Sequence, residues 1–438
     1  MHDVAIIGAG PAGLATAYHL RHSGADVIVL EAGDDVGGRT RSLPVAGVPS
    51  CTGALFVYRG TPSEELAAEL GIRTAPFTPD TYGIHVNGTT VVDGDNDRLI
   101  DRLPVSTTAR DQLRTFVHTS LDEYAQFTRA GHLTDDAATL GGHTLAERLR
   151  GLEPDTKEII TRAIQGGSVA SPDQLSAQYA LRYFASYLAH EKHNRLYPVD
   201  GMQSIPRALA ERLPAGTVRL RSRVDRVAID DAAGYGLTVA GEAAPVRARE
   251  VVVAVPAPIA RRIVADLPPW KDDALAAAYT PGSTTLCVTA DITDVPRLAQ
   301  WAFITVTGRR FDAIINPAPV PLDHPGPTPT TAQFVCYGNG FGYRPGLTAD
   351  PAATAAWVDD FLAVAPELQG RVLGAHLQTW EHCFAILTPQ RARAIDDLQR
   401  SIGGLHFAGD HTSVSAGTHG AYGEGRRVAE LITAPARR

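Results

Sequence analysis

The chain has 438 residues, 44% hydrophobic and 20% charged, with a formal net charge of −8 at pH 7. This composition excludes a disordered chain and allows two or three domains with ample cores. The acidic balance argues against a nucleic-acid-binding or anionic-lipid-binding surface, and no apolar run reaches the roughly 18 residues of a membrane span. Cys51, Cys287, Cys336 and Cys383 show neither CxxC spacing nor a histidine at zinc-site distance, so reduced thiols and no metal site are expected.

The first predicted strand, Val4-Ala5-Ile6-Ile7, is an apolar run of the kind buried in a parallel sheet. It begins so early that no signal peptide fits before it, and a cytoplasmic location is expected. Gly8-Ala9-Gly10-Pro11-Ala12-Gly13 follows, then a helical pattern from Leu14 to His22 and a second strand, Val27 to Leu30, ending on Glu31 and Ala32. Gly8 permits the turn off the strand. Gly10 lets a pyrophosphate approach bare backbone. Gly13 lets the helix pack close to the sheet. Pro11 and Ala12 open that helix, whose N-terminus carries roughly half a positive charge toward the phosphates. Glu31, about twenty residues on, can accept hydrogen bonds from a ribose and would repel a 2′-phosphate, which disfavours NADP. Strand, glycine turn, helix, strand and acid in this order predict a dinucleotide-binding unit.

Further along, Thr61-Pro62-Ser63-Glu64 fits a capping box with proline at the first helical position. Tyr179, Tyr183 and Tyr187 recur every four residues on one face of a predicted helix over 175–190, with Arg182 beside them. Val218 to Ile229 reads as a strand pair, and Val251 to Val255 as a buried strand stopped by Pro256. The stretch 316–330 holds six prolines without periodicity and reads as a loop. Gly338-Asn339-Gly340-Phe341-Gly342 leads into Arg344-Pro345-Gly346 instead of a helix, so no second nucleotide site is expected. Without a second such unit, electrons would leave to oxygen or an external acceptor, not come from NAD(P)H.

Gly37-Gly38-Arg39 lies just after Glu31, and Gly404-Leu405-His406-Phe407-Ala408-Gly409-Asp410 lies near the other end, followed by Gly420-Ala421 opening a helix from Tyr422 to Ile432. Together these segments resemble the flavin monoamine oxidase superfamily. The resemblance covers nearly the whole chain and is weakest in the middle. It implies an α/β fold: a Rossmann-type FAD domain from 1–75, 200–265 and 395–438, and a mixed α+β substrate domain from 76–199 and 266–394. It implies that Gly37 and Gly38 pass the pyrophosphate, that Arg39 lies beside phosphate and flavin, and that backbone near Val224 meets the adenine. Gly409-Asp410 would meet the ribityl chain, and the helix opened by Gly420-Ala421 would point its N-terminus at the flavin. FAD is expected to be non-covalent, because the surroundings of Cys383 do not match the covalently flavinylated relatives.

Two departures from the family stand out. The lysine that holds a water under the flavin is missing, and Leu286 is expected at its place. The family's aromatic cage is incomplete: one wall offers Gly417, Thr418 and His419, the other Phe384. The losses favour a large or weakly basic substrate, and an oxidation of amine or amide to imine by hydride transfer, with O2 as acceptor. A natural-product (antibiotic) oxidase that forms an acyl imine and closes a macrocycle by Mannich attack fits that description. The alternative is a carotenoid- or porphyrinogen-type desaturase acting on C–C bonds. Glu64, Tyr183 and His419 are the candidate catalytic side chains, and Tyr179, Tyr187 and Phe384 the candidate substrate contacts. The expected partner is a small-molecule substrate, with the oligomeric state open and a homodimer among the options.

Overall fold

In a computed structural model of the chain, the structure describes residues 1–78, 81–129, 142–188, 194–230, 234–320, 326–327, 329–339, 343–414 and 416–434. The side chains of Arg182, Tyr183 and Tyr187 lie outside the described residues. Two seven-stranded sheets organise the fold.

The first sheet runs in the order Val218–Arg219, Val27–Leu30, His2–Ile7, Val246–Val253, Gly234–Val239, Val224–Asp230, with Leu405–Phe407 also paired to Val246–Val253. Its apolar strands are parallel. Alternate residues of one strand enter two separate cores: Val4 and Ile6 lie in one with the helix Pro11–Leu20, and Ala5 and Ile7 in the other with the helix Ala257–Ile263. Burial on both faces is why these strands read as continuous apolar runs. Register brings their carboxyl ends level, with Ile7 opposite both Leu30 and Val253, and Val253 opposite Phe407. Gly8, Glu31, Ala254 and Ala408 therefore leave the sheet along one edge, where ligands of open α/β sheets bind.

The helix Pro11–Leu20 packs against the C-terminal helix Thr418–Thr433 at the closest possible approach. A Cβ on Gly425 would lie 2.4 Å from the Ala12 carbonyl oxygen, and Thr16 donates its hydroxyl to both Ala12 and Gly425 carbonyls.

The second sheet runs Val372–Trp380, Ser283–Asp291, Thr331–Asn339, Ala313–Ile315, Trp301–Val306, Thr81–Val86, Thr89–Asp93. Period-two alternation divides the strand Ser283–Asp291 between two environments. Leu286, Val288 and Ala290 enter an outer core under the helix Pro351–Val364 with Trp357 and Phe361. The opposite face meets the first half of the chain: the Cys287 thiol donates to the Cys51 carbonyl at 3.3 Å, and Thr289 donates to the Val45 carbonyl at 3.0 Å. Among the described residues, no helix is long and apolar enough to cross a membrane, and no cluster of three His, Cys, Asp or Glu side chains could hold a metal ion.

Candidate flavin and substrate site

At the level carboxyl edge, two glycine turns face one another. Gly8 has φ +100°, and a Cβ there would sit 2.9 Å from the Ala254 carbonyl oxygen. A Cβ on Gly13 would lie only 2.0 Å from the Gly8 carbonyl oxygen, so the helix is seated on the turn as closely as backbone allows. Gly10 differs: nothing lies within 4 Å of the position its Cβ would take. That open space sits beyond Gly10, which precedes the helix and carries no capping side chain, as a pyrophosphate at a helix N-terminus requires. The second turn closes on the first through the Gly37 N–H bond to the Ala9 carbonyl at 2.8 Å, with Gly37 at φ +111°. Gly38 faces Gly10, its Cβ position 3.7 Å from the Gly10 Cα. Glu31 is held by the Ala9 N–H on one oxygen and the Gly33 N–H on the other, both at 2.7 Å, with Ala32 between. Val224 begins its strand at a register shift opposite Val239.

Arg39 leaves the second turn toward Asp410. Its guanidinium donates to Asp410 Oδ1 at 2.8 Å and Oδ2 at 3.3 Å, and to the Cys383 carbonyl at 2.9 Å. The Ala385 N–H donates to Asp410 Oδ2 at 2.9 Å. Burial acts to raise the Asp410 carboxyl, but the Arg39 charge overrides it and brings the group down to about 2. Arg391, fully buried, donates to the carbonyls of Ala385, Asp410, His411 and Ser413, and burial lowers it to about 10. It pins the turn after Gly409, where a Cβ would strike the His411 ring at 2.5 Å. Sequence reasoning missed Arg391, because an arginine in an ordinary helix start carries no local signal of what it will bond. It missed His411 for the same reason; both ring nitrogens are buried without a partner, and burial lowers the ring to about 4.

The C-terminal helix begins at Thr418, two residues before Gly420-Ala421, with Gly417 preceding it and no side chain capping it. Gly420 and Ala421 are buried in its first turn. The Cβ position of Gly417 lies 3.4 Å from the Phe384 ring and 3.6 Å from the His419 ring, so both rings come close to a bare glycine. His419 also meets Tyr58 edge-on at 5.2 Å between ring centres. Its Nδ1 is buried without a partner, and burial lowers the ring to about 4. Tyr179 packs beside Phe384 over Leu387, Ala392 and Ala416. Burial pushes the Cys383 thiol up to about 11, against the pull of Arg39, so it is a protonated, weakly reactive sulfur.

The expected placement of Leu286 is corrected. Leu286 is fully buried in the outer core, paired with Cys336 and Leu377, and faces away from Arg39. The residues of that strand on the inner face are Ser283, Thr285 and Cys287; Thr285 pairs with Tyr337, which donates its hydroxyl to the Gly53 carbonyl at 2.6 Å. Lys271 is buried elsewhere, donating to the carbonyls of Asp397, Leu398 and Arg400, and Lys157 is exposed on the helix Pro154–Ser168. Among the described residues, then, no lysine reaches the inner face.

Glu64 sits at the start of the helix Pro62–Glu69. Its carboxylate accepts the Gly60 N–H at 2.7 Å and pairs with Arg59 at 3.3 Å. Those are the bonds of a helix cap, displaced by one residue from the usual box.

Comparison with known proteins agrees with this arrangement. The family of flavin-containing amine oxidoreductases matches residues 11–433. AofH of Mycobacterium tuberculosis, which carries the name of a flavin-containing monoamine oxidase, is 30% identical over 321 residues. That match spans 64% of this chain and 65% of the relative, just under two thirds of its length. A Dictyostelium discoideum protein that carries the name flavin-containing monoamine oxidase A is 25% identical over 87% of this chain and 80% of its own. In fold, the chain is similar to cyclohexylamine oxidase from Brevibacterium oxydans, with a TM-score of 0.76 at 22% identity, covering 99% of this chain and 98% of that one. With the glycine turns, the Arg39–Asp410 junction and the full-length family match all in one chain, this protein belongs to the flavin-containing amine oxidoreductases.

Proposed function

We propose that the protein binds FAD non-covalently and oxidises a C–N bond, amine or amide to imine, with O2 as final acceptor. One observation carries the reading: the Phe384 and His419 rings both lie within 3.6 Å of the Cβ position of Gly417 at an uncapped helix start, and Phe384 follows Cys383, whose carbonyl takes the Arg39 guanidinium. FAD bound along the glycine turns would accept the substrate C–H hydrogen together with its two electrons, as a hydride. Gly8, Gly10, Pro11, Ala12 and Gly13 with Gly37, Gly38 and Arg39 would hold its phosphates, Glu31 and Ala32 a ribose, and backbone at Val224 the adenine. Asp410, Gly409, Gly420 and Ala421 would meet the flavin end.

The chain's own work is positioning. His419 stays neutral at physiological pH, because burial lowers its ring to about 4, and so sets no positive charge beside a substrate nitrogen. The substrate would lose its C–H hydrogen as a hydride and its N–H proton to solvent water, and so become an imine. With an amide the product is an acyl imine, an electrophile that a carbon nucleophile of the same molecule can attack. Such Mannich-type ring closure fits a natural-product oxidase.

The test is anaerobic mixing of FAD-loaded protein with benzylamine and with N-benzylacetamide. Bleaching of the flavin by either, with hydrogen peroxide formed on readmitting air, is expected. No bleaching by any C–N substrate tried, with bleaching by a polyene or porphyrinogen, would replace this reading by C–C desaturation.

A further inference from the structure

Around the inner face of the second sheet lie polar groups without a partner among the described residues. Asn339 is fully buried and Gln165 is 3% exposed, and neither Asn339 Oδ1 nor Gln165 Oε1 has a hydrogen-bond partner. The Thr285 hydroxyl, fully buried, has none either. Buried polar atoms are almost always bonded, so these three mark a place for something the described residues do not supply.

The orientation of Asn339 is fixed. Its Nδ2 donates to the Gln165 main-chain carbonyl at 2.6 Å; a flipped amide would set oxygen against oxygen, so Oδ1 points away from that carbonyl. Its main-chain N–H donates to Asp312 at 2.7 Å. Asn339 stands across the strand pair from Ser283, on the face that also carries Thr285, Tyr337 and Cys287. Gln165 lies beside Asn339, its main-chain carbonyl taking the Asn339 amide, where the helix Pro154–Ser168 presses Gly166 onto Ala313, a Cβ there lying 2.5 Å away, and Ala313 pairs with Tyr337. Next to Ser283 the chain bonds onward: the Cys383 N–H to the Pro281 carbonyl at 2.9 Å, and Arg39 to the Cys383 carbonyl. The unpaired groups thus stand one strand-end away from Arg39 and Asp410.

Chemistry narrows what they take. Two carboxamide oxygens can only accept, and a threonine hydroxyl can donate. The two buried carboxylates that border the face are committed, Asp312 to Arg162 at 2.7 Å and Asp410 to Arg39. No unpaired negative charge therefore awaits an ammonium group. The complement is a neutral group with an N–H beside a carbonyl.

We propose that Gln165 and Asn339 are specificity-determining residues that select a neutral amide, their oxygens accepting its N–H while Thr285 donates to its carbonyl. The inference rests on the C–N oxidation reading only for bringing substrate to this face.

The experiment titrates FAD-loaded protein anaerobically with N-benzylacetamide and with benzylamine, following the perturbation of the flavin spectrum and, separately, its bleaching. Gln165→Met keeps length and apolar volume but removes the acceptor; Asn339→Leu removes the second and also its bond to the helix. Gln165→Met is expected to weaken N-benzylacetamide binding about tenfold, the equivalent of one hydrogen bond, to leave benzylamine within about twofold, and to keep or raise the melting temperature, since Oε1 has no partner to lose. Asn339→Leu should do the same to binding; if it fails to fold, Gln165→Met decides alone. Equal weakening of both probes, no weakening, a lowered melting temperature for Gln165→Met, or no response of the unaltered protein to N-benzylacetamide would each overturn the proposal. Selective binding without bleaching would sink the oxidation reading and leave this one standing; bleaching by both probes unchanged in Gln165→Met does the reverse.

Discussion

Asp410 spends both oxygens on protein donors, and the consequence is measurable. Asp410→Asn leaves the Arg39 guanidinium, 27% exposed, without its counter-charge. Breaking a buried pair by removing one partner typically costs about 3–5 kcal/mol; with that exposure the lower end is expected, together with weakened FAD uptake. Thermal melting and FAD titration of the apoprotein check both. Glu64 gives a contrasting expectation. Loss of a general base costs roughly 10²–10⁴ in rate, but glutamine still accepts the Gly60 N–H, so Glu64→Gln should reduce its flavin at nearly the parent rate in anaerobic stopped-flow. A drop of that size would restore Glu64 to the chemistry. At this scale the sequence was uneven. Glycines of the first turn announce themselves because no other residue fits the spacing, whereas Arg391 and His411 take their places from burial, and Gln165 and Asn339 meet only through a bond across 174 residues.

The strand–turn–helix at the N-terminus separates two uses of glycine, and substitution should separate them too. Gly13→Ala would set a methyl 2.0 Å from the Gly8 carbonyl oxygen, forcing the helix off the sheet; a poorly folded or insoluble protein is expected. Gly10→Ala meets nothing in the chain, so melting of the apoprotein should hold while FAD affinity falls, because the new methyl occupies the space of the pyrophosphate. Equal behaviour of the two variants would mean that Gly10 does not face the cofactor. The same elements show why one strand was legible and another was not. A parallel strand buried on both faces needs only its apolar run to be recognised. The strand Ser283–Asp291 is also buried on both faces, but one meets an apolar core and the other the site. Period-two alternation shows that the faces differ without saying which is which, so Leu286 was set one residue out of phase, and a shift of one exchanges the faces entirely.

Over the whole molecule, His85, His411 and His419 are each lowered to about 4, burial being the first cause in all three. The unfolded chain binds their protons near the ordinary histidine value of about 6.5, so below that pH it holds more protons than the folded one. Stability from these groups is complete above about 6.5 and falls as pH drops toward 4, each histidine contributing up to about 1.4 kcal/mol per pH unit. Melting temperature should therefore decline steadily between pH 6.5 and 4.5. Replacing His85, the one remote from the rings, by glutamine should make that decline shallower; an unchanged slope would show that the histidines are not its source.

The first sheet takes its strands from 2–30, 218–253 and 405–407, and its first helix lies against Gly425. During synthesis at about 5–20 residues per second, the strand His2–Ile7 leaves the ribosome roughly 20–80 seconds before the strand and helix that enclose it. Throughout that interval its apolar faces have no neighbours, and the turn built for the pyrophosphate has only one of its walls. Cofactor capture is thus an event of completion, and the nascent chain depends for that minute on whatever keeps an unfinished sheet from pairing with another.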